Sequence, residues 1–147
     1  MTMQSEVQKF HEKNGLPIAQ LSRIMSPPYE SKLAEIARNV ADIAQDILSL
    51  AEKEYNFDQR LHRMHLILEE AAELGKAFLS TDKIKYADAL GDLLYVVLGT
   101  GVVYNIPLDR VFEAIQKSNM TKDCRRMATD RRTKGPDYVP PDLSFIR

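Results

Sequence analysis

Residues 59–104 carry the sequence QRLHRMHLILEEAAELGKAFLSTDKIKYADALGDLLYVVLGTGVVY, and this stretch decides the fold. Apolar residues in its first half recur three or four positions apart, which is the spacing of one face of an α-helix. The polar residues 80–82 (Ser-Thr-Asp) then offer caps for a turn, and a second, more apolar helix follows. The stretch predicts helices over 59–79 and 83–104, packed antiparallel across a short loop.

The rest of the chain also favours helices. We expect one over 4–13, stopped by Asn14-Gly15, and a long one over 31–54 whose apolar residues form a packing seam. In this prediction Pro27-Pro28 lies in a loop before the long helix, and Ser31 caps it.

Asp58 is expected to cap the helix that follows, and a fifth helix should run from Pro107 to about Ser118. No stretch shows the period-two alternation of a strand. We predict an all-α fold: an antiparallel bundle of about five helices with an irregular C-terminal tail, forming a single domain over residues 1–147.

Composition excludes several classes of protein. The net charge is −1, with 44% hydrophobic and 28% charged residues, so global charge does not favour nucleic acid or an anionic membrane surface. The most apolar run, 90–106, is interrupted by Asp92, which argues against a membrane span. The first fifteen residues lack the apolar core of a signal peptide, and the single Cys124 fits a reducing compartment. We expect a cytoplasmic protein with no membrane partner and no nucleic-acid partner.

Acidic residues stand at matching positions on the two helices of the hairpin. The first helix carries Glu69-Glu70-Ala-Ala-Glu73, and the second carries Asp88-Ala-Leu-Gly-Asp92. Residues three or four apart share a helix face. With a rise of roughly 1.5 Å per residue, counting outward from the turn brings Glu73 level with Asp88 and Glu70 level with Asp92. We therefore predict that these carboxylates converge.

A metal ion would explain such a cluster. The second helix is apolar almost all round, which is typical of a buried helix, and a buried aspartate is costly unless its charge is compensated. Gathered carboxylates also repel one another, and a hard divalent cation such as Mg²⁺ removes that conflict. The alternatives are solvated acidic faces and a di-iron bundle. A di-iron bundle needs Glu-x-x-His motifs, which neither His62 nor His65 completes.

Four stretches together match the motifs of one known family. The acidic stretches at 69–74 and 88–96 are joined by Ser-Asn-Met-Thr-Lys at 118–122 and Lys-Gly-Pro-Asp-Tyr-Val-Pro-Pro-Asp-Leu at 134–143. With a weaker likeness at 7–11, they resemble the single-domain branch of the MazG and phosphoribosyl-ATP pyrophosphohydrolase superfamily. That family's pattern is E-x-x-E followed by E-x-x-D on the next helix. This chain departs from it at Ala89, where the family has glutamate, and Asp88 would substitute.

The resemblance implies a chemistry and a set of residues. The reaction would be hydrolysis of a nucleoside triphosphate between its α and β phosphates, giving a monophosphate and pyrophosphate. Mg²⁺, or Mn²⁺ in its place, would be the cofactor, held by Glu70, Glu73 and Asp92 with Asp88 beside them. Glu69 would act with Glu70 and Glu73 in catalysis, as a ligand or by orienting the attacking water.

Positive charge is concentrated after the fifth helix, where residues 117–134 hold seven cations against two acids. The cations are Lys117, Lys122, Arg125, Arg126, Arg131, Arg132 and Lys134. Most of them would form a solvated charge run. Asn119 and Lys122 differ because they match the family's S-N-M-T-K motif, and the resemblance implies that they face the nucleotide.

Three functions remain open at this stage. The first is a nucleoside triphosphate pyrophosphohydrolase of the dUTP-specific or pool-cleaning type. The second takes phosphoribosyl-ATP as substrate, in histidine biosynthesis, and the third is a non-catalytic helical partner protein whose acidic site is degenerate, as Ala89 would allow. We also expect a homodimer or homotetramer, because the apolar seam of 33–50 and the apolar fourth helix exceed what one small bundle covers.

Overall fold

The computed structural model describes residues 2–16, 18, 27–53, 58–80, 82–122 and 134–146. These residues form five α-helices and no strand, which confirms the all-α class. The helices are α1 (Met3–Asn14), α2 (Pro27–Lys53), α3 (Gln59–Ala77), α4 (Lys83–Val103) and α5 (Leu108–Met120).

The chain divides into two compact units. The three-helix unit is Ser22–Tyr104 and holds α2, α3 and α4; the terminal unit combines Met1–Leu21 with Asn105–Arg147 and holds α1, α5 and the C-terminal segment. That residues 1–147 form one domain stays a prediction.

In the three-helix unit, α3 packs against both α2 and α4. The α2 side of this packing uses small residues seven positions apart, since Ala37, Ala44 and Ala51 are all buried. Opposite them, a Cβ atom added to Gly75 would lie 3.1 Å from the Cβ of Ala37. The two helices therefore approach closely at these small residues, whereas Ile36, Ile43 and Leu50 of α2 remain exposed.

Local signals set the starts of α3 and α4 as predicted, and the two helices end at Ala77 and Val103 instead of 79 and 104. Asp58 caps α3 by accepting a hydrogen bond from the Arg60 amide at 2.8 Å, and Asp82 caps α4 by accepting one from the Ile84 amide at 2.9 Å. The Arg60 side chain also hydrogen-bonds the Asp58 carboxylate and lowers its pKa to about 2.

The start of α2 was predicted wrongly. The helix begins at Pro27, not after a Pro27-Pro28 loop, and Ser31 lies inside it instead of capping it. Proline suits the first helical turn, because its fixed φ is already helical and its missing N–H would have no intrahelical partner there.

The α4 helix is largely exposed in the single chain, although its apolar circumference is typical of a buried helix. All its residues are described, and Ala89 and Gly101 are its buried ones, whereas Leu94 is 53% exposed and Val102 81%. The reason is that apolar residues surround α4 while its packing partner, α3, covers one side. Among the described helices, α4 is also the one long and apolar enough to span a membrane by length and composition, with 11% of its apolar window buried.

The terminal unit is held together by bonds between its helices. Gln116 on α5 donates to the Glu6 carbonyl at 2.6 Å, and the Lys13 ammonium donates to the Met120 carbonyl. Gly15 ends α1, as predicted, in the left-handed conformation (φ 61°) that favours glycine.

The C-terminal segment, residues 134–146, has neither helix nor strand but is tied to the end of α5. The hydroxyl of Ser118 donates to the Val139 carbonyl at 2.7 Å, and the Val139 amide donates to the Thr121 hydroxyl at 2.9 Å. Two stretches that the sequence singled out, 118–122 and 134–143, are thus in direct contact.

Candidate active site

The five predicted acidic residues all lie in the three-helix unit, three on α3 and two on α4. Glu70 is half-buried, and the other four are exposed. These four are Glu69, Glu73, Asp88 and Asp92. The aspartates are therefore not enclosed in a buried helix as we predicted, because the face of α4 that carries them remains open in the single chain.

Glu70 is the focus of this group. Burial raises the pKa of its carboxyl, and the negative charge of the neighbouring carboxylates raises that pKa further. In decreasing order these neighbours are Glu73, Asp92, Glu69 and Asp88. Of the two aspartates on α4, Asp92 acts more strongly on Glu70, which is the pairing expected from counting outward from the turn. Both helices thus place their acids around one half-buried carboxyl.

The carboxylates are gathered but not closed into a ligand shell. Among the described residues, no three His, Cys, Asp or Glu side chains are already grouped closely enough to hold a metal ion. Each neighbouring carboxylate raises the cost of ionising Glu70, and a bound cation would remove that cost. The donor set itself, oxygen only and strongly negative, matches what Mg²⁺ and Mn²⁺ prefer. The assignment of metal ligands stays a prediction.

Two polar residues of α3 support the site and were missed by reasoning from sequence. Arg63 donates to the Val96 carbonyl at 2.6 Å and to the Thr100 hydroxyl at 3.1 Å, which ties α3 to α4 one to two turns beyond Asp92. A Cβ at Gly99 would lie 3.0 Å from the Arg63 guanidinium, so the glycine leaves room for it. No local signal in the sequence reveals this bond between helices.

The second missed residue is His65. It is buried against α2 and lies four positions before Glu69, with its Nε2 atom 3.5 Å from a Glu69 oxygen. The i,i+4 spacing of His65 and Glu69 was the available signal.

Asn119 and Lys122, the predicted substrate contacts, lie in the terminal unit at the end of α5. Both are partly exposed, and the Lys122 amide donates to the Asn119 carbonyl at 3.1 Å. The neighbouring bonds from Ser118 and Thr121 to Val139 hold this stretch in place. Their contact with nucleotide stays a prediction, and the cations Arg125, Arg126, Arg131 and Arg132 lie outside the described residues, as do Cys124 and Thr81.

A cleft of about 460 Å³ opens beside this stretch in the terminal unit. Its lining includes the cations Arg110 and Lys117 together with the acids Glu113 and Asp142. Two cations and two acids are thus the charged residues in the described lining of the cleft, and we do not assign the nucleotide to it.

The fold and the gathered carboxylates define an all-α protein with an acidic candidate active site on a helical hairpin. The family model for phosphoribosyl-ATP pyrophosphohydrolase matches residues 43–119, just over half of the chain. The match begins in the second half of α2, before the first acidic stretch, and includes both acidic stretches and Asn119. The chain belongs to the phosphoribosyl-ATP pyrophosphohydrolase family, within the MazG-like all-α superfamily.

One relative among curated proteins is Uncharacterized protein L479 of Acanthamoeba polyphaga mimivirus. It is 36% identical over 78 residues, which is 52% of this chain but 31% of the viral protein. The chain thus matches less than a third of that relative's length. No solved structure matches this chain significantly.

Proposed function

We propose that the protein is a Mg²⁺-dependent nucleoside triphosphate pyrophosphohydrolase, which converts an NTP or dNTP to the monophosphate and pyrophosphate. The observation that carries the proposal is that the charges of Glu73, Asp92, Glu69 and Asp88, on two helices, all raise the pKa of the half-buried Glu70. A cluster of acids that is costly without a cation is the kind of site that a cation and its bound phosphates would complete.

The donor set assigns roles to individual residues. Glu70, Glu73, Asp88 and Asp92 would hold Mg²⁺, with Mn²⁺ as a substitute, and Asp88 takes the place of the family glutamate absent at Ala89. Glu69, Glu70 and Glu73 serve catalysis, with Glu69 orienting the attacking water. When bound, the metal ion supplies positive charge to the phosphate oxygens and acidifies a water molecule.

Asn119 and Lys122 would bind the phosphate or sugar of the nucleotide. A lysine complements the triphosphate charge that one divalent ion leaves uncancelled. The motif that contains both residues is anchored through Ser118 and Thr121, so the two side chains start from a fixed stretch of backbone.

A second copy of the chain is the partner that we propose for the exposed apolar surface. On α2, Tyr29, Ile36, Ile43 and Leu50 recur every seven residues, and each is at least 47% exposed. A seven-residue repeat of large apolar residues is typical of a helix that packs along another helix. Together with the open face of α4, this surface favours a homodimer or homotetramer.

The alternative to a second copy is that α4 lies in a lipid bilayer, and the charged residues of α4 argue against this. Asp88 and Asp92 lie in the first half of the helix, and Asp92 stands near its centre. An aspartate at the centre of a membrane span costs about 3 kcal/mol. We therefore propose a soluble, cytoplasmic protein without membrane or nucleic-acid partners.

Two other functions are favoured by specific observations. The family model is named for phosphoribosyl-ATP, which favours that substrate and a role in histidine biosynthesis. Ala89 and the absence of a closed ligand group among the described residues favour instead a non-catalytic partner protein with a degenerate site.

A substrate panel separates the three functions. Purified protein is incubated with dUTP, dCTP, other nucleoside triphosphates or phosphoribosyl-ATP, with Mg²⁺, Mn²⁺ or EDTA, and pyrophosphate is measured. We expect metal-dependent pyrophosphate release that is fastest with a nucleoside triphosphate, and Glu70→Gln as a matched control should abolish it. Preference for phosphoribosyl-ATP would select the second function. Absence of release from every substrate would refute both enzymatic ones.

A further inference from the structure

The main chain of Val139 forms two hydrogen bonds with the end of α5. The Ser118 hydroxyl donates to the Val139 carbonyl at 2.7 Å, and the Val139 amide donates to the Thr121 hydroxyl at 2.9 Å. The Val139 side chain is 58% exposed, so the contact is made by the backbone and does not depend on burying that side chain. The C-terminal segment is thus joined, at one residue, to both ends of the stretch 118–121.

The Thr121 hydroxyl acts as donor and acceptor at the same time. A hydroxyl has one hydrogen to donate and lone pairs that accept. Thr121 donates to the Ser118 carbonyl at 2.8 Å while it accepts from the Val139 amide. A single arrangement of the hydroxyl hydrogens therefore satisfies all three bonds, which join Ser118, Thr121 and Val139 in a closed ring.

Lys122 follows Thr121 directly and lies one residue past the C-cap of α5. The last carbonyls of a helix have no partners within the helix, and a helix end frays unless other groups bind them. Here the Ser118 carbonyl accepts from Thr121, and the Met120 carbonyl accepts from the Lys13 ammonium. The backbone that leads into Lys122 is therefore held by both α1 and the C-terminal segment.

We propose that Thr121 is a positioning residue, whose hydroxyl joins the C-terminal segment to α5 and thereby fixes the backbone that carries Lys122. The inference rests on the proposed function, in which Lys122 binds the phosphate or sugar of the nucleotide. A lysine side chain is long and flexible, so an ordered backbone reduces the conformational freedom that binding must remove. The alternative is that the three bonds only stabilise the terminal unit.

Three threonine variants separate the two roles. Thr121→Val removes the hydroxyl with little change in shape, so both of its bonds are lost, whereas Thr121→Ser keeps a hydroxyl that can form them. Thr2→Val is the matched control, because it removes another bonded hydroxyl of the same unit. The Thr2 hydroxyl caps α1 by accepting from the Ser5 amide at 3.2 Å, and its loss should lower stability without touching Lys122.

If Thr121 positions Lys122, Thr121→Val should raise the nucleotide KM about threefold to tenfold and leave kcat within about twofold of the wild type. KM should change alone because Lys122 would hold the nucleotide equally before and during the reaction, while the acids of the three-helix unit are unaltered. Thr121→Ser should restore the wild-type KM, and Thr2→Val should lower the urea midpoint but leave KM unchanged. Unchanged KM in Thr121→Val, or an equal rise in Thr2→Val, overturns the inference.

A double-mutant cycle tests whether the effect passes through Lys122. Once Lys122 is replaced by alanine, Thr121→Val should raise KM no further, because there is no longer a lysine to position. Ser118→Ala, which removes the other bond to Val139, takes the place of Thr121→Val in the cycle if that variant does not fold. Effects of Lys122→Ala and the second substitution that simply add overturn the inference.

Amide hydrogen exchange gives a measurement that does not depend on activity. The Lys122 amide donates to the Asn119 carbonyl at 3.1 Å, so its exchange reports how well this stretch is held. Thr121→Val or Ser118→Ala should speed its exchange about tenfold, and Thr2→Val should not. Unchanged exchange overturns the inference. If exchange accelerates as expected but the wild-type chain releases no pyrophosphate, the positioning of Lys122 stands and the proposed function fails.

Discussion

Replacement of Arg63 by methionine tests how far the α3–α4 pair depends on one side chain. Its guanidinium is half-buried and donates to the Val96 carbonyl at 2.6 Å and to the Thr100 hydroxyl at 3.1 Å. A hydrogen bond that involves a charged group contributes about 1.5–3 kcal/mol to stability. The bond from Arg63 to Thr100 contributes less stability than the bond from Arg63 to Val96. The reason is that the Thr100 hydroxyl itself donates to the Val96 carbonyl at 2.8 Å and keeps that bond when Arg63 is replaced.

We expect Arg63→Met to lower the free energy of unfolding by about 2 kcal/mol, since methionine keeps the apolar stem but donates nothing. Arg63→Lys, which retains one charged donor, should lose about 1 kcal/mol. Urea unfolding followed by circular dichroism at fixed protein concentration measures both values. Because the tie lies between the two helices that carry the acids, Arg63→Met should also raise the Mg²⁺ concentration needed for half-maximal pyrophosphate release.

Gly99→Ala perturbs the same bonds from the side of α4. The added Cβ would lie 3.0 Å from the Arg63 guanidinium, which would have to shift and strain its bonds to Val96 and Thr100. Alanine gains up to about 1 kcal/mol of helix propensity over glycine, so the net loss of stability should be smaller than that of Arg63→Met. An Arg63→Met variant within about 0.5 kcal/mol of wild type would show that the two hydrogen bonds contribute nothing net, and the reasoning would be refuted.

The remaining predictions concern the acids, the substrate contact and the assembly. Without metal, Glu73→Gln should melt at the same temperature as the wild type or higher. Its melting temperature should rise less on adding Mg²⁺, and its kcat should fall by about a hundredfold or more. Wild-type turnover of this variant at limiting Mg²⁺ would refute the role of Glu73 as a metal ligand. Because the pKa of Glu70 is raised on folding, the folded state binds that proton more tightly, so metal-free stability should fall as pH rises from the ordinary glutamate range through the raised pKa. Glu70→Gln should remove this part of the pH dependence of the urea midpoint, and an unchanged dependence would contradict the assignment. Lys122→Ala should raise the nucleotide KM several-fold and leave the Mg²⁺-induced rise in melting temperature intact; unchanged kinetics would end its assignment to substrate. Ile43→Ser, in the exposed stripe of α2, should shift sedimentation toward the monomer, whereas a wild-type chain that is already monomeric at all concentrations would remove the basis for an oligomer.

Short-range features were predictable from the sequence because their causes are local. Asp58 and Asp82 cap helices through their own side chains. The placement of Glu70 and Asp92 at the same height on the two helices follows from the helix rise and the position of the turn. The start of α2 was misjudged because proline is compatible with both a loop and a first helical turn.

Features that depend on packing between helices were not predictable. The link from His65 to Ala44 joins residues 21 positions apart, and the bonds from Arg63 to α4 depend on the room left at Gly99. The exposure of α4 was missed for a similar reason, since hydrophobicity predicts that a helix will be covered but does not say whether its own chain does so.

The position of Asp92 in α4 has a consequence for where the chain can go after synthesis. Between Ala89 and Leu108, Asp92 is the one charged residue, so neutralising it leaves twenty consecutive positions without a charge. Such a segment is close to what the insertion machinery accepts as a hydrophobic anchor, and an aspartate within it opposes insertion by up to about 3 kcal/mol. The charge proposed to hold a cation thus also opposes mistargeting to the bilayer. A variant such as Asp92→Asn should therefore be assayed for its distribution between soluble and membrane fractions before any loss of turnover is attributed to chemistry.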